Sequence, residues 1–411
     1  MGAATRKSPK MILGKKINPY LGLLIVFLLW FVFASPYFLH HLVPFPTRQL
    51  VAFFEPWNQY DKYAGPVKNN AMPDVVTQIY PWKHFTITEL KKGHVPLWNP
   101  FNFSGNPALA NFQTAIFSPF NLFYFLLPFI DAWSIVILLQ PLLAGFFVYL
   151  LSRELKISTW GAAVSGVTFM FCGFMVVWMA YGTLALAIAF LPLALFAIER
   201  YWRTRSQRYS LLLALSIAIS IFSGHFQTSL YLLITVIAYV LYKFMLTKDH
   251  KTMFILYLSI CLGVVISLIQ IIPTIVFYTQ SFRSNSTIVD GGIPLYYLIT
   301  SFAPDFFGNP VTRNDWVGFY AERASFVGII PLYLAGLSLF ERKKRDIIFF
   351  AGLALVALLF AVASPLQSLL ALSHIPVISS SNPTRIIVLC SFALSVLSGF
   401  GLDYLCESLS L

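Results

Sequence analysis

The sequence predicts an all-α, polytopic membrane protein, and three observations predict it. Of 411 residues, 58% are hydrophobic and only 11% charged, well above the roughly 45–50% apolar content of soluble domains. The apolar residues come in repeated runs that reach or approach the ~20 residues a helix needs to cross the hydrocarbon core, too long for the alternating strands of a membrane barrel. Lys and Arg gather in the short connections on one side of those runs, the asymmetry expected of a multi-pass chain.

Taken in order, the runs are 20–39, 132–151, 158–180, 183–199, 209–224, 227–246, 253–278, 326–340, 347–363 and 384–404, about ten crossings of the bilayer. Arg6, Lys7, Lys10, Lys15 and Lys16 precede the first run, and no small-x-small cleavage site follows it. The start therefore reads as an uncleaved signal anchor with a cytoplasmic N-terminus. That orientation puts 18 of the 28 Lys and Arg in the N-terminus and in the short connections holding Arg153 and Lys156, Arg200–Arg208, Lys243–Lys251 and Arg342–Arg345, as the positive-inside rule requires. The net charge of +12 then records orientation against an anionic inner leaflet, not an affinity for nucleic acid. One transmembrane domain covers 1–404, with 405–411 as a cytoplasmic end. Cys172, Cys261, Cys390 and Cys406 lie in apolar stretches without ligand spacing and read as packing residues.

The longer connections, 40–131, 279–325 and 364–383, fall outside, and function is expected on that face of the cell membrane. In the first, Val75, Val76, Ile79, Trp82, Phe85, Ile87 and Leu90 alternate with polar residues. This pattern predicts an amphipathic interfacial helix with Trp82 and Phe85 among the headgroups. Asp74 stands at its start and reads equally as a helix cap or as a working carboxylate. Ser118–Pro119–Phe120–Asn121 opens a short re-entrant or surface helix that ends near Pro128. The amides of Asn99, Asn102, Asn106, Asn111 and Gln113 suit a sugar, and they suit ordinary turns as well. Gly224–His225–Phe226–Gln227 is either the polar tip of a helical hairpin or a site where a His holds a phosphate oxygen or moves a proton. Glu322 beside Arg323 reads as a solvated pair or as part of a site. Arg385, opening the last run, either snorkels or meets a lipid phosphate. No GxxxxGK[ST], HExxH, GxSxG or Rossmann glycine pattern is present, so nucleotide hydrolysis and zinc hydrolysis have no support.

In order along the chain, Asp74-x-x-x-Gln78-x-Tyr80-Pro81, Gly93-x-x-Pro96-Leu97-Trp98-Asn99-Pro100 with Gly105, Ser118-Pro119-x-Asn121, Gly224-His225-x-Gln227, Glu322 ahead of Val327-Gly328-Ile329-x-Pro331-Leu332, and Asn382-Pro383-x-Arg385 with Gly399-x-Gly401-Leu402 resemble the YfhO-type bacterial membrane proteins. Such proteins are similar to the GT-C superfamily of polytopic glycosyltransferases. The resemblance implies a GT-C-like fold and transfer of a sugar from a polyprenyl-phosphate carrier, on the outer face, to a cell-envelope acceptor such as teichoic acid or another surface glycan. Members are generally longer, which implies further helices and an outer domain beyond Leu411.

On this reading Asp74 is the base of an inverting transfer. His225 and Arg385 offset charge on the departing phosphate, directly or beside a divalent cation, magnesium or manganese. Gln78 and Gln227 line the lipid-phosphate site, Glu322 orients acceptor or metal, and Trp98 with Asn99 borders the sugar. The alternative from another class is a transporter or flippase of a lipid-linked glycan. It predicts polar side chains deep within the spans, where the sequence offers chiefly Gln140 and Gln270.

Overall fold

The computed structural model describes residues 18–60, 73–288, 291–310, 316–318, 320–341, 344–373, 375 and 377–409. Arg6, Lys7, Lys10, Lys15 and Lys16, and likewise Asp315, Arg342 and Lys343, lie outside the described residues.

α1 (Pro19–His40) starts where Asn18 Oδ1 accepts the Tyr20 amide at 3.0 Å and Pro19 fills the first turn, a side-chain cap followed by a preset φ. After the short α2 (Thr47–Phe53), a π-helical turn, Val75–Ile79, runs into α3 (Tyr80–Lys91). A small antiparallel ribbon of β1 (Trp98–Asn99) and β2 (Asn106–Pro107) follows, then α4 (Leu122–Leu126). The main bundle comprises α5 (Phe129–Glu154), α6 (Thr159–Met170), α7 (Gly173–Trp178), α8 (Leu184–Ala189), α9 (Leu191–Thr204), α10 (Gln207–Phe222), α11 (Phe226–Thr247), α12 (His250–Ile266) and α13 (Leu268–Thr279). Beyond the second long loop come α14 (Ile329–Ser338), α15 (Asp346–Ala361), α16 (Pro365–Leu372) and α17 (Ile387–Leu409).

The protein is all-α as expected, but the count of ten crossings is not met by length. Among the described residues, five helices are long and apolar enough to span, and up to seven if the bent pairs α6–α7 (43°) and α12–α13 (64°) each count as one. The shortfall lies in α10, α14 and α15, helices of 10–17 residues. Their apolar runs in the sequence continue into non-helical flanks such as Ser325–Gly328. The second bend precedes Pro273, whose ring cannot donate to the preceding turn.

α17 is the central helix and packs on α14, α15 and α6. Its backbone comes close because it lacks side chains at two points. A Cβ on Gly401 would lie 1.8 Å from the Leu334 carbonyl oxygen of α14, and one on Gly399 2.3 Å from Ser165 Oγ of α6. Small residues at such crossings let helices gain contact where no hydrophobic drive separates lipid from protein.

One end of the bundle gathers the basic connections and neutralises them. Glu154 pairs with Arg203 at 2.6 Å and Arg200 at 3.3 Å, Glu199 with Lys243 at 2.8 Å, and Asp249 with Arg205. α11 leads from that end to the opposite one, a length of about 33 Å at 1.5 Å per residue. The segments named as functional in the sequence lie toward this second end.

Two readings of the first loop change. The apolar side of 75–91 is docked on protein, since Val75, Val76, Ile79 and Ile87 are all buried, leaving Trp82 and Phe85 half-buried. The stretch after Ser118 is a 3-10 turn and the five-residue α4, with Leu122, Phe125 and Leu126 exposed, so it is a surface piece.

Candidate active site

Arg385 is the hub. Asn382 Oδ1 accepts the amide (3.2 Å) and hydroxyl (2.8 Å) of Thr384, which caps the turn Pro383–Ile386 at the mouth of α17. From there Arg385 Nε donates to both Glu322 oxygens, at 3.2 and 3.0 Å, and Nη2 donates to Oε1 at 2.5 Å. Nη1 reaches Gln227 Oε1 at 3.4 Å, and the guanidinium carbon sits 5.0 Å from the centre of the Trp178 ring. Gln227 is fixed in turn, its amide donating to Tyr231 Oη at 2.7 Å and to the Asn382 carbonyl at 2.8 Å. Glu322 is therefore paired across the fold and not with its neighbour, while Arg323 lies over the Tyr297 ring at 5.0 Å. Nor does Arg385 snorkel, since its charge is held by a half-buried carboxylate. Three of a guanidinium's five N–H groups are used here, so two stay open for a ligand among the described residues.

Asp74 is not a helix cap. Its φ and ψ, −59° and −32°, are already helical, and its side chain makes no capping bond. Among the described residues the carboxylate accepts one hydrogen bond, from Gln78 Nε2 to Oδ1 at 3.2 Å. The turn it begins packs against Met179–Tyr181. The charges of Asp74, Arg385 and Glu322 all reach the phenol of Tyr181. The turn after Asp74 thus packs on the segment whose neighbouring Trp178 ring lies against Arg385. Trp178 and Tyr181 escaped the sequence reading because they stand inside an apolar aromatic run with nothing to mark them.

His225 is delivered by a hairpin that only glycine permits. Gly224 has φ +92°, and a Cβ there would meet Ala115 Cβ at 3.0 Å and the Phe112 carbonyl oxygen at 3.2 Å. His225 then caps α11, Nδ1 accepting the Thr228 amide at 3.3 Å, which leaves the proton on Nε2. Burial, reinforced by Arg385, holds its pKa well below the ordinary histidine value. His225 therefore has Nε2–H to offer, the group with which it would hold a phosphate oxygen.

Trp98 and Asn99 are not joined to this cluster by any contact among the described residues. Trp98 packs over Gly105, where a Cβ would lie 2.4 Å from its indole nitrogen, and is 53% exposed. Asn99 is buried beside it, Oδ1 accepting the Phe101 amide at 3.0 Å. The described residues offer no set of three protein ligands for the expected divalent cation. No three His, Cys, Asp or Glu side chains among the described residues come together, and both Glu322 oxygens are already engaged.

Lys83, assigned by its spacing to a polar face, is buried. Its ammonium donates to the Thr114 carbonyl at 2.7 Å and to Asn121 Oδ1 at 3.0 Å, tying α3 to the loop that touches Gly224. Burial pushes its pKa down to about 7.

A family model described as bacterial membrane protein YfhO matches residues 64–408. The chain belongs to the YfhO family. In this YfhO-family protein the matched region takes in every residue of the cluster, from Asp74 to Arg385. A crystal structure of ArnT from Cupriavidus metallidurans bound to undecaprenyl phosphate is similar, with a TM-score of 0.46 and 15% sequence identity over 78% of this chain. The likeness covers 55% of that chain, so the sequence spans little more than half its length. No curated protein matches.

Proposed function

We propose that this YfhO-family protein is a membrane glycosyltransferase that moves a sugar from a polyprenyl-phosphate carrier to an envelope glycan on the outer face, by an inverting displacement. The observation that carries the reading is the contrast between two carboxylates, Glu322 and Asp74. Glu322 has both oxygens held by Arg385 and Thr384, whereas among the described residues Asp74 accepts only from Gln78, at Oδ1. Asp74 is the base. It takes the proton of the acceptor hydroxyl as that oxygen bonds to the anomeric carbon, and the bond from that carbon to the phosphate oxygen breaks with its electron pair leaving on the polyprenyl phosphate. The two open N–H groups of Arg385 and the Nε2–H of His225 are donors set in place before charge grows on that oxygen. No step is routed through a metal.

An apolar groove of about 480 Å³ between α11 and α15 supports a lipid-borne donor. It is lined by Ile234, Ala238, Phe349 and Leu353 and includes Pro383 and Ile386, the neighbours of Arg385. The transporter reading fares less well. The Gln140 NH2 is spent on the Ile137 and Met179 carbonyls, and that of Gln270 on Leu109 and Thr274, so both NH2 groups serve packing, while Gln140 Oε1 is buried without a partner among the described residues.

The test is transfer from a labelled polyprenyl-phosphate sugar in membranes containing the protein. Wild type is expected to label the envelope glycan, and Asp74→Asn to insert and fold but transfer nothing, because an amide cannot take the proton. Full transfer by Asp74→Asn would remove Asp74 from the mechanism. Movement of the carrier without transfer by wild type would favour the flippase.

A further inference from the structure

A second cleft, of about 640 Å³, lies along the outward side of α3. Its floor repeats at helical spacing, with Thr77, Pro81, Phe85, Thr88 and Lys92, a series on one side of the helix. Its opposite wall is the ribbon turn, where Phe101 is 83% exposed and meets Phe85 edge-on at 5.9 Å. Asn99 also lines the cleft, although it is only 6% exposed. Its carbonyl is taken by the Phe101 amide, and its side-chain NH2 makes no hydrogen bond among the described residues.

We propose that this cleft is the acceptor subsite, which binds a hydroxyl-rich segment of the glycan chain. A sugar ring offers an apolar face to Trp82, Phe85 and Phe101 and hydroxyls to the amides of Asn99 and Asn102, the mixture of broad apolar contact and few convergent polar groups that selects a ligand. A charged lipid headgroup fits less well, since the cationic group Lys92 is already paired with Glu89 at 2.8 Å. Toward the start of the segment the cleft ends at Thr77, three positions from Asp74 in the chain. A glycan lying along it brings its terminal hydroxyl to the base. The proposal rests on the transferase reading for its purpose, but the binding itself does not.

The test uses the full chain in nanodiscs and, as probe, oligosaccharides released from the producing bacterium's envelope by mild acid, followed by saturation-transfer NMR. Phe101→Ala and Asn102→Ala change side chains that carry no described packing core, and each is expected to weaken binding about fivefold, the worth of one aromatic or polar contact. Asn99→Ala is expected to weaken it further. Undiminished binding in both Phe101→Ala and Asn102→Ala, or no binding by wild type, would each overturn the subsite. If the binding pattern holds while wild type transfers no sugar, the cleft stands and the transferase reading fails.

Discussion

Arg385 and Glu322 owe their arrangement to mutual need. Removing the guanidinium leaves a half-buried carboxylate with only Thr384 as donor, and an uncompensated charge costs more than the pair gains. Arg385→Met is therefore expected to destabilise the protein by about 2 kcal/mol, a figure reduced for partial exposure. The double variant Glu322→Gln/Arg385→Met should recover most of that loss in thermal unfolding while remaining inactive. Recovery of neither would mean that the pair is not the source of the stability.

Lys83 makes a second prediction at the same scale. Its folded pKa of about 7 lies below the ordinary 10.5, so between those values the unfolded chain binds the proton and the folded chain does not. Stability should rise as pH goes from about 7 to 10.5 and be lost as pH falls back through 7. Lys83→Met is expected to flatten that slope in unfolding midpoints measured across the range.

Among the elements, α17 depends on the gaps in its own surface. Gly401→Ala sets a methyl group against the Leu334 carbonyl, and overpacking a backbone contact of this kind is expected to cost about 3 kcal/mol. On α14 the opposite case is available. A Cβ on Gly336 would meet nothing within 4 Å, so Gly336→Ala should be neutral or stabilising by up to about 1 kcal/mol through helix propensity. Unfolding in detergent distinguishes them, and equal effects would refute the packing account. The α3 segment shows why periodicity alone misplaces an element. Its apolar side chains require a dry partner, and the same pattern is satisfied by lipid or by protein. The 112–121 loop and the turn Met179–Tyr181 supplied protein, and Lys83 went inward because three oxygens waited there, those of Thr114, Ala115 and Asn121.

For the whole molecule, the ion-paired end and the Arg385 end lie at opposite ends of α11 and α17. On the proposed orientation, which follows the positive-inside argument, the paired end is cytoplasmic and the cluster faces out. A cysteine placed at Lys91, exposed on α3, in a cysteine-free background is expected to react with an impermeant maleimide added to intact cells. Labelling only after the membrane is opened would reverse the orientation and sink the proposed donor geometry.

The sequence by itself determined the class, the helices and the polar residues worth attention, because hydrophobic run length and the spacing of Asp74, Gln78, His225, Gln227, Glu322 and Arg385 are local properties of the chain. It could not say which of them meet. Glu322 has Arg323 next to it and Arg385 far along the chain, and only packing decides that the distant partner wins. The same holds for Asp74, whose freedom from capping depends on a helix that starts before it, and for Tyr181, which gains meaning only from three charges brought to it. Charge partnership and burial are set by which surfaces close on one another, and tertiary structure alone decides that.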